Sequence, residues 1–153
     1  VMTTRGELLA AFVTELVPKG LPPLEAIQRL RAQGAFISVS HPFDTHRGWE
    51  LPDLLEILPL VDAIETFNSR CMDATFNLRA QEFARQHNLA GTVGSDAHTT
   101  WELGRATLTV DEFTGSESLR QVIRQGVANV KLSSPLIHLT SRYATLVKKW
   151  RGK

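Results

Sequence analysis

Apolar positions fall in short clusters along the chain, and the spacing within each cluster predicts an element. Residues 8–13 are apolar enough for a strand. Leu24, Ile27 and Leu30 recur at helical spacing between Pro22-Pro23 and Gly34, which is the Pro-first, Gly-last asymmetry of a helix. Residues 35–40 carry Ile and Val in a short run and read as a strand. Residues 51–58 predict a helix opening at Pro52, and 62–67 a strand. Asp73 is placed to cap a helix in which Phe76, Ala80, Phe83 and Ala84 share one face. Strands follow at 90–94 and 105–110. Ser118 with Gln121 fits a capping box for a helix that Gly126 ends. A strand at 127–132 and a helix at 136–150 close the chain.

Strand and helix alternate, so the expected class is α/β with a parallel sheet and crossover helices. An open doubly wound sheet and all or part of a barrel both fit that pattern. Polar residues gather just after strands, at Ser40-His41, Phe67-Asn68 and Gly94-Ser95-Asp96. Chemistry at the carboxyl ends of parallel strands is the rule in both architectures.

Composition narrows the class without naming a function. The 153 residues suit one domain, and 42% hydrophobic with 22% charged residues exclude a mainly disordered chain, a collagen repeat and a disulfide scaffold. Net charge is +1, so bulk charge gives no argument for stable nucleic-acid binding. No apolar run nears the roughly 20 residues that span a bilayer. Cys71 stands alone and has no internal disulfide partner, which together with the lack of a signal peptide points to the cytoplasm. The opening Val1-Met2-Thr3-Thr4 reads as the interior of a longer protein.

Three motifs carry chemistry. In Gly94-Ser95-Asp96-Ala97-His98 a strand runs into a turn with a carboxylate and an imidazole two residues apart. An extended backbone there turns both side chains the same way, toward one metal ion. The competing reading is an Asp that caps the next turn beside a surface His. In Val39-Ser40-His41-Pro42-Phe43, Pro42 biases His41 to extended geometry and stops the ladder, aiming the imidazole out of the sheet end. The alternative is a strand-capping His bonded to backbone. His46 and Trp49 follow, with His46 read as a surface residue. In Ile64-Glu65-Thr66-Phe67-Asn68-Ser69-Arg70, Asn68 and Arg70 emerge at the strand end, and a guanidinium there suits bidentate phosphate binding or a salt bridge. Glu65, inside the strand, reads as a structural hydrogen-bonding group.

These blocks, with Thr99 and Glu102-Leu103-Gly104, resemble the PHP (polymerase and histidinol phosphatase) family of metal-dependent phosphoesterases. The resemblance runs from about Glu7 to His138. It implies a distorted, TIM-like β/α barrel and hydrolysis of phosphate esters by a metal-activated water. The implied cofactors are divalent ions: Mn, Zn, Fe or Mg. It also implies His41, Asp96 and His98 as metal ligands, with Glu7 a looser match, and Asn68 and Arg70 near the substrate phosphate. The family's opening His-x-His strand, Asp-His motif and bridging glutamate are not in this sequence. The 153 residues therefore read as a single domain formed by the C-terminal two-thirds of a PHP domain.

Several expectations follow. The substrate class is a phosphorylated small molecule or a short oligonucleotide. The chain alone binds metal weakly and hydrolyses poorly. Strand edges left unpaired invite a homo-oligomer. Leu136, Leu139, Tyr143, Leu146, Val147 and Trp150 form an apolar stripe, beside basic residues, that packs on the sheet, with His138 outside the ligand set. The rival class is a non-catalytic, degenerate PHP-like module for binding or assembly. No Gly-x-Ser-x-Gly elbow, Walker A loop or Gly-x-Gly-x-x-Gly turn occurs.

Overall fold

Four strands form one sheet in the order β1 (Leu8–Ala11), β2 (Phe36–Val39), β3 (Ala63–Asn68) and β4 (Ala90–Gly94). The structure, a computed structural model, describes residues 1–134. The expected closing helix, with its apolar stripe and His138, lies outside the described residues. β2 pairs with β3 and β3 with β4 in parallel, and α2 (Leu51–Ile57) and α3 (Ala74–Gln86) lie in the two crossovers. Here the expected βαβ arrangement holds.

β1 differs, because it runs antiparallel to β2 with Leu8 opposite Val39. The cause is the connection. In a βαβ unit the helix returns the chain to the start of the first strand. Here residues 12–22 make that return themselves. Thr4 N donates to Leu21 O (3.0 Å) and Gly20 N to Met2 O (2.7 Å), so the loop ends beside the N-terminal residues. Helix α1 (Pro23–Ala32) then runs back to the other end, where Gln33 Oε1 accepts from Thr14 N and Glu15 N at 2.8 Å. β2 must therefore enter opposite to β1.

A second, two-stranded antiparallel sheet pairs β5 (Ala106–Thr109) with β6 (Val127–Val130). They are joined through α4 (Ser116–Val122) and a 3-10 turn, Ile123–Gln125. The described residues form a mixed α/β fold, and they do not close into a barrel.

Apolar side chains from both faces of the main sheet make the core. Leu8, Ile37, Val39 and Ile64 from the strands pack with Ile27 and Leu30 of α1, Leu54 and Ile57 of α2, and Phe83 and Ala84 of α3. Phe36, Ala63, Ala90 and Ile123 form a smaller cluster with Leu108 and Leu119, so α4 and β5 cover that part of the sheet. β2 is buried at all four positions, as a strand covered on both faces must be. Truncating a side chain such as Leu30 to Ala costs about 2–5 kcal/mol.

Local signals set the helix ends. Asp73 Oδ1 accepts from Thr75 N at 2.8 Å and caps α3, as its position predicts. Gly34 follows α1 with φ +73°, a left-handed conformation that glycine adopts cheaply. The expected capping box at Ser118 is displaced. Gly115 is the N-cap of α4, and Ser118 caps from inside the helix, its hydroxyl accepting from Thr114 N (3.0 Å) and Gly115 N (3.1 Å). The hydroxyl reaches back because Gly115 has no side chain to do the work.

The amino end of β1 and the carboxyl ends of β2, β3 and β4 share one edge of the sheet. Glu7, His41, Asn68 and Asp96 all sit there. No helix among the described residues is long and apolar enough to cross a membrane.

Candidate functional site

His41 is buried at the end of β2, but its backbone is not extended. Its φ is +29°, a departure from what Pro42 predicts. Two hydrogen bonds account for the turn. Glu65 Oε2 accepts from His41 N at 2.7 Å, and Asp44 N donates to His41 O at 3.2 Å. Left-handed backbone at a non-glycine residue costs about 1–3 kcal/mol and persists only when its surroundings enforce it. His41 Nε2 lies 3.1 Å from Glu7 Oε2, while Nδ1 is buried with no partner among the described residues.

Asp96 is also left-handed, with φ +47°. The segment 95–98 therefore bends, and the expectation that Asp96 and His98 point alike from an extended chain does not hold. His98 N and Thr99 N both donate to Glu102 Oε2, at 3.1 and 2.9 Å, and start a 3-10 turn immediately after the motif. Asp tolerates the left-handed region better than most residues. His98 Nδ1 turns to Asp96 O at 2.9 Å and lies 3.9 Å from Asp96 Oδ1. The other carboxylate oxygen, Oδ2, accepts from Arg47 at 2.8 Å.

Glu65 anchors the strand ends from within. It is buried, and its Oε2 also accepts from Asn68 Nδ2 at 3.1 Å. Burial pushes its carboxyl above the usual range, against the opposing pull of the His41 amide and Asn68. Asn68 is committed too. Its Oδ1 accepts from Arg70 N (2.9 Å), and its main chain exchanges two bonds with the Asn77 side chain. The Asn68 amide therefore shapes the turn that aims Arg70. Arg70 is itself buried, with NH1 2.6 Å from Glu102 Oε1. Burial works to raise the Glu102 carboxyl, but the Thr99 hydroxyl, the His98 amide and Arg70 outweigh it and hold the group below the usual range.

These strand ends open on a cavity of about 250 Å³ lined by Asp44, His46, Arg47, Arg70, Met72 and His98. His46 is exposed, as expected. The donor types are those that first-row divalent ions accept. Their placement is less complete. Glu7 with His41 makes one pair and Asp96 with His98 another, and no three His, Cys, Asp or Glu side chains among the described residues converge on one point. As they stand, these residues do not fit a closed metal site.

Residues 74–128 match a family model described as PHP-associated. The chain carries a PHP-associated segment. That segment includes α3, β4, the Gly94–His98 turn, the Glu102 cap and the start of β6. Of its residues, Asp96, His98 and Glu102 reach the site, whereas Glu7, His41, Asp44, Arg47 and Arg70 precede it.

A wider likeness joins the PHP-associated segment to the rest of the chain. An uncharacterized protein of Methanocaldococcus jannaschii is 40% identical over 118 residues, which is 74% of this chain and 50% of that protein. The chain spans about half the length of the curated relatives it matches. The crystal structure of PsfC from Pseudomonas syringae PB-5123 superposes with a TM-score of 0.62 at 20% identity, over 85% of this chain and 55% of that one. The shared feature is the fold. A structure from Bifidobacterium adolescentis, provisionally assigned as a metal-dependent phosphoesterase, has a TM-score of 0.48 at 21% identity over 72% of this chain and 39% of its own. That superposition is too loose to carry an argument about this chain.

Two residues of the site escape sequence reasoning. Asp44 and Arg47 lie in the loop after His41-Pro42, with no periodicity to mark them. Their one signal is the three-residue spacing of opposite charges directly after a strand end. The structure uses it, with Arg47 Nε donating to Asp44 Oδ2 at 3.1 Å.

Proposed function

We propose that this chain is part of a metal-dependent phosphoesterase. In the intact protein it supplies His41, Asp96 and His98, with Glu7 as a looser match, to a divalent metal centre, and Asn68 and Arg70 to the substrate phosphate. The reaction is hydrolysis of a phosphate ester by metal-activated water, on a phosphorylated small molecule or short oligonucleotide. The ion is one of Mn, Zn, Fe or Mg. The complete β/α barrel belongs to that intact protein.

One observation carries this reading. Two imidazole–carboxylate pairs stand at the same edge of the sheet, and His98 of the second lines a cavity with the buried Arg70 guanidinium. Each pair alone is too small to hold an ion firmly, and a further set of donors from the remaining half of the protein would complete the centre. The pairing of Asp96 with Arg47 favours a second reading, a degenerate PHP-like module that binds or assembles without catalysis.

The test compares two proteins with Mn²⁺: this chain, and the protein extended to the length of its curated relatives. Hydrolysis of p-nitrophenyl phosphate and of its bis diester separates monoesterase from diesterase action. The extended protein should turn over, this chain poorly, and Asp96→Ala should abolish metal binding in both. An extended protein that binds Mn²⁺ but hydrolyses neither ester favours the module. Unchanged metal content in Asp96→Ala overturns the ligand assignment.

A further inference from the structure

The loop after β2 runs along three cavities that meet. The inner one is lined by Arg70 and His98, and Asp44 and His46 line both it and a second cavity of about 440 Å³. Phe43, Trp49, Glu50 and Arg79 line both the second and a third of about 600 Å³, which reaches Leu51 and Leu78. Through these shared walls the three run together as one groove, from the strand ends to α3. Its outer end is apolar and firmly built. Trp49 is buried against Gly6, where a Cβ would collide with the indole, so the floor is fixed. Phe43 meets Phe83 edge-on, with ring centroids 5.4 Å apart. The volume and the aromatic, apolar lining are those of a small-molecule site.

Charge decides what fits the outer end. Arg79 lies over the Phe43 ring, its Cζ 4.8 Å from the centroid, and has no ion-pair partner among the described residues. Glu50 likewise has no cationic partner among them. The other charges are already paired, Asp44 with Arg47 and Glu82 with Arg85. One unpaired guanidinium and one unpaired carboxylate leave the outer groove near neutrality, so nothing there offsets a second or third phosphate. A flat, uncharged ring suits it better. Such a ring packs on the apolar wall and accepts a hydrogen bond from Arg79, because a stacked guanidinium keeps its N–H edge open. We infer that the outer groove binds the aromatic end of the substrate, whose phosphate lies at Arg70, so that the substrate is a phosphate ester of an uncharged aromatic group and not an oligonucleotide. The inference rests on the phosphoesterase reading above for its phosphate end only. Arg79 and Phe43 are then residues that determine specificity.

Binding to the full chain tests this without turnover. Calorimetry at pH 7 compares four probes: naphthyl phosphate, naphthol, inorganic phosphate and a 5′-phosphorylated thymidine dinucleotide. Naphthyl phosphate should bind at least about tenfold more tightly than inorganic phosphate, the scale of one stacking contact. It should also bind more tightly than the dinucleotide. Naphthol, which lacks the phosphate, isolates the ring contact. Leu78→Glu, at an exposed position on the groove wall, puts a charge beside the ring and should remove the tenfold gain. Arg79→Met should weaken naphthyl phosphate and naphthol about fivefold and leave inorganic phosphate unchanged. Leu24→Glu adds the same charge at an exposed position on α1, outside the groove lining, and should change nothing.

Equal affinity for naphthyl phosphate and inorganic phosphate, with no binding of naphthol, overturns the ring site while leaving the phosphoesterase reading intact. Tighter binding of the dinucleotide overturns the aromatic ester in favour of an oligonucleotide. A loss in Leu24→Glu equal to that in Leu78→Glu reduces the effect to bulk charge and also overturns the site. Naphthol binding that Leu78→Glu abolishes, in a protein whose extended form hydrolyses no ester, supports the ring site and overturns the phosphate end together with the phosphoesterase reading.

Discussion

Arg70 and Glu102 form a buried ion pair, with 2.6 Å between NH1 and Oε1 and side chains 6% and 1% exposed. The pair joins the turn after β3 to the turn after β4, and Glu102 also receives the His98 and Thr99 amides. Removing one partner of a buried pair leaves an uncompensated charge, which costs about 3–5 kcal/mol. Arg70→Met should therefore destabilise the chain by that much. Glu102→Gln should cost less, because the amide oxygen still accepts from the turn. The double variant should lose less than the sum of the two. Urea unfolding at pH 7 measures all three, and strictly additive losses would show that the two groups do not interact.

Asp62 gives the pH dependence its sign. Burial raises its carboxyl, but Arg31, Arg120 and the Ile37 amide outweigh that and hold it below the usual range. A carboxylate whose folded pKa is depressed contributes stability above its unfolded value, about 4, and loses it as pH falls through the folded value. Asp62→Asn should lower the thermal midpoint at pH 7. The gap to the unaltered chain should shrink steadily below about pH 4. A gap independent of pH would mean that the charge on Asp62 contributes nothing.

Gly94 is small because Glu65 is beside it. A Cβ at Gly94 would collide with Glu65 Oε1, the carboxylate whose other oxygen holds His41 N. Gly94→Ala should displace Glu65, release the strained turn at His41 and destabilise by about 1–3 kcal/mol, the usual cost of overpacking. The amide of His41 should then exchange faster with deuterium than before. An unchanged exchange rate would show that another group holds the turn.

The residues that the sequence makes legible are those with a period or a fixed partner. β4 spans the expected residues, α3 begins at the expected Asp73 cap, and α1 sits between its Pro and Gly signals, because each is set by local chemistry. The direction of β1 was not legible. It depends on where residues 12–22 are tied, and those ties are made by main-chain groups that carry no residue signature. The site divides in the same way. His41, Arg70, Asp96 and His98 announce themselves at strand ends, but their orientations do not. Glu65 bends His41, Glu102 bends the turn after Asp96, and Arg47 takes the Asp96 carboxylate. The contacts of Glu65 with His41 and of Arg47 with Asp96 are long-range, and no short window of sequence contains both partners.

Cys71 follows Arg70 in the turn that faces the cavity, so its reactivity reports on the surrounding charge. Burial pushes its thiol up to about 12 from the usual 9.0, with Asp44, Glu65 and Asp96 adding to the rise and Arg47 opposing it. The thiolate is the reactive form, so at neutral pH its fraction is about a thousandfold below that of an ordinary thiol. Iodoacetamide at pH 7 should alkylate the native chain far more slowly than the urea-unfolded chain. Because Arg47 opposes the rise, Arg47→Met should slow alkylation further, whereas Asp44→Asn should speed it. Mass spectrometry of the Cys71 peptide over time measures each rate. Equal rates in the native and unfolded chains would mean that neither burial nor the neighbouring carboxylates hold the thiol protonated.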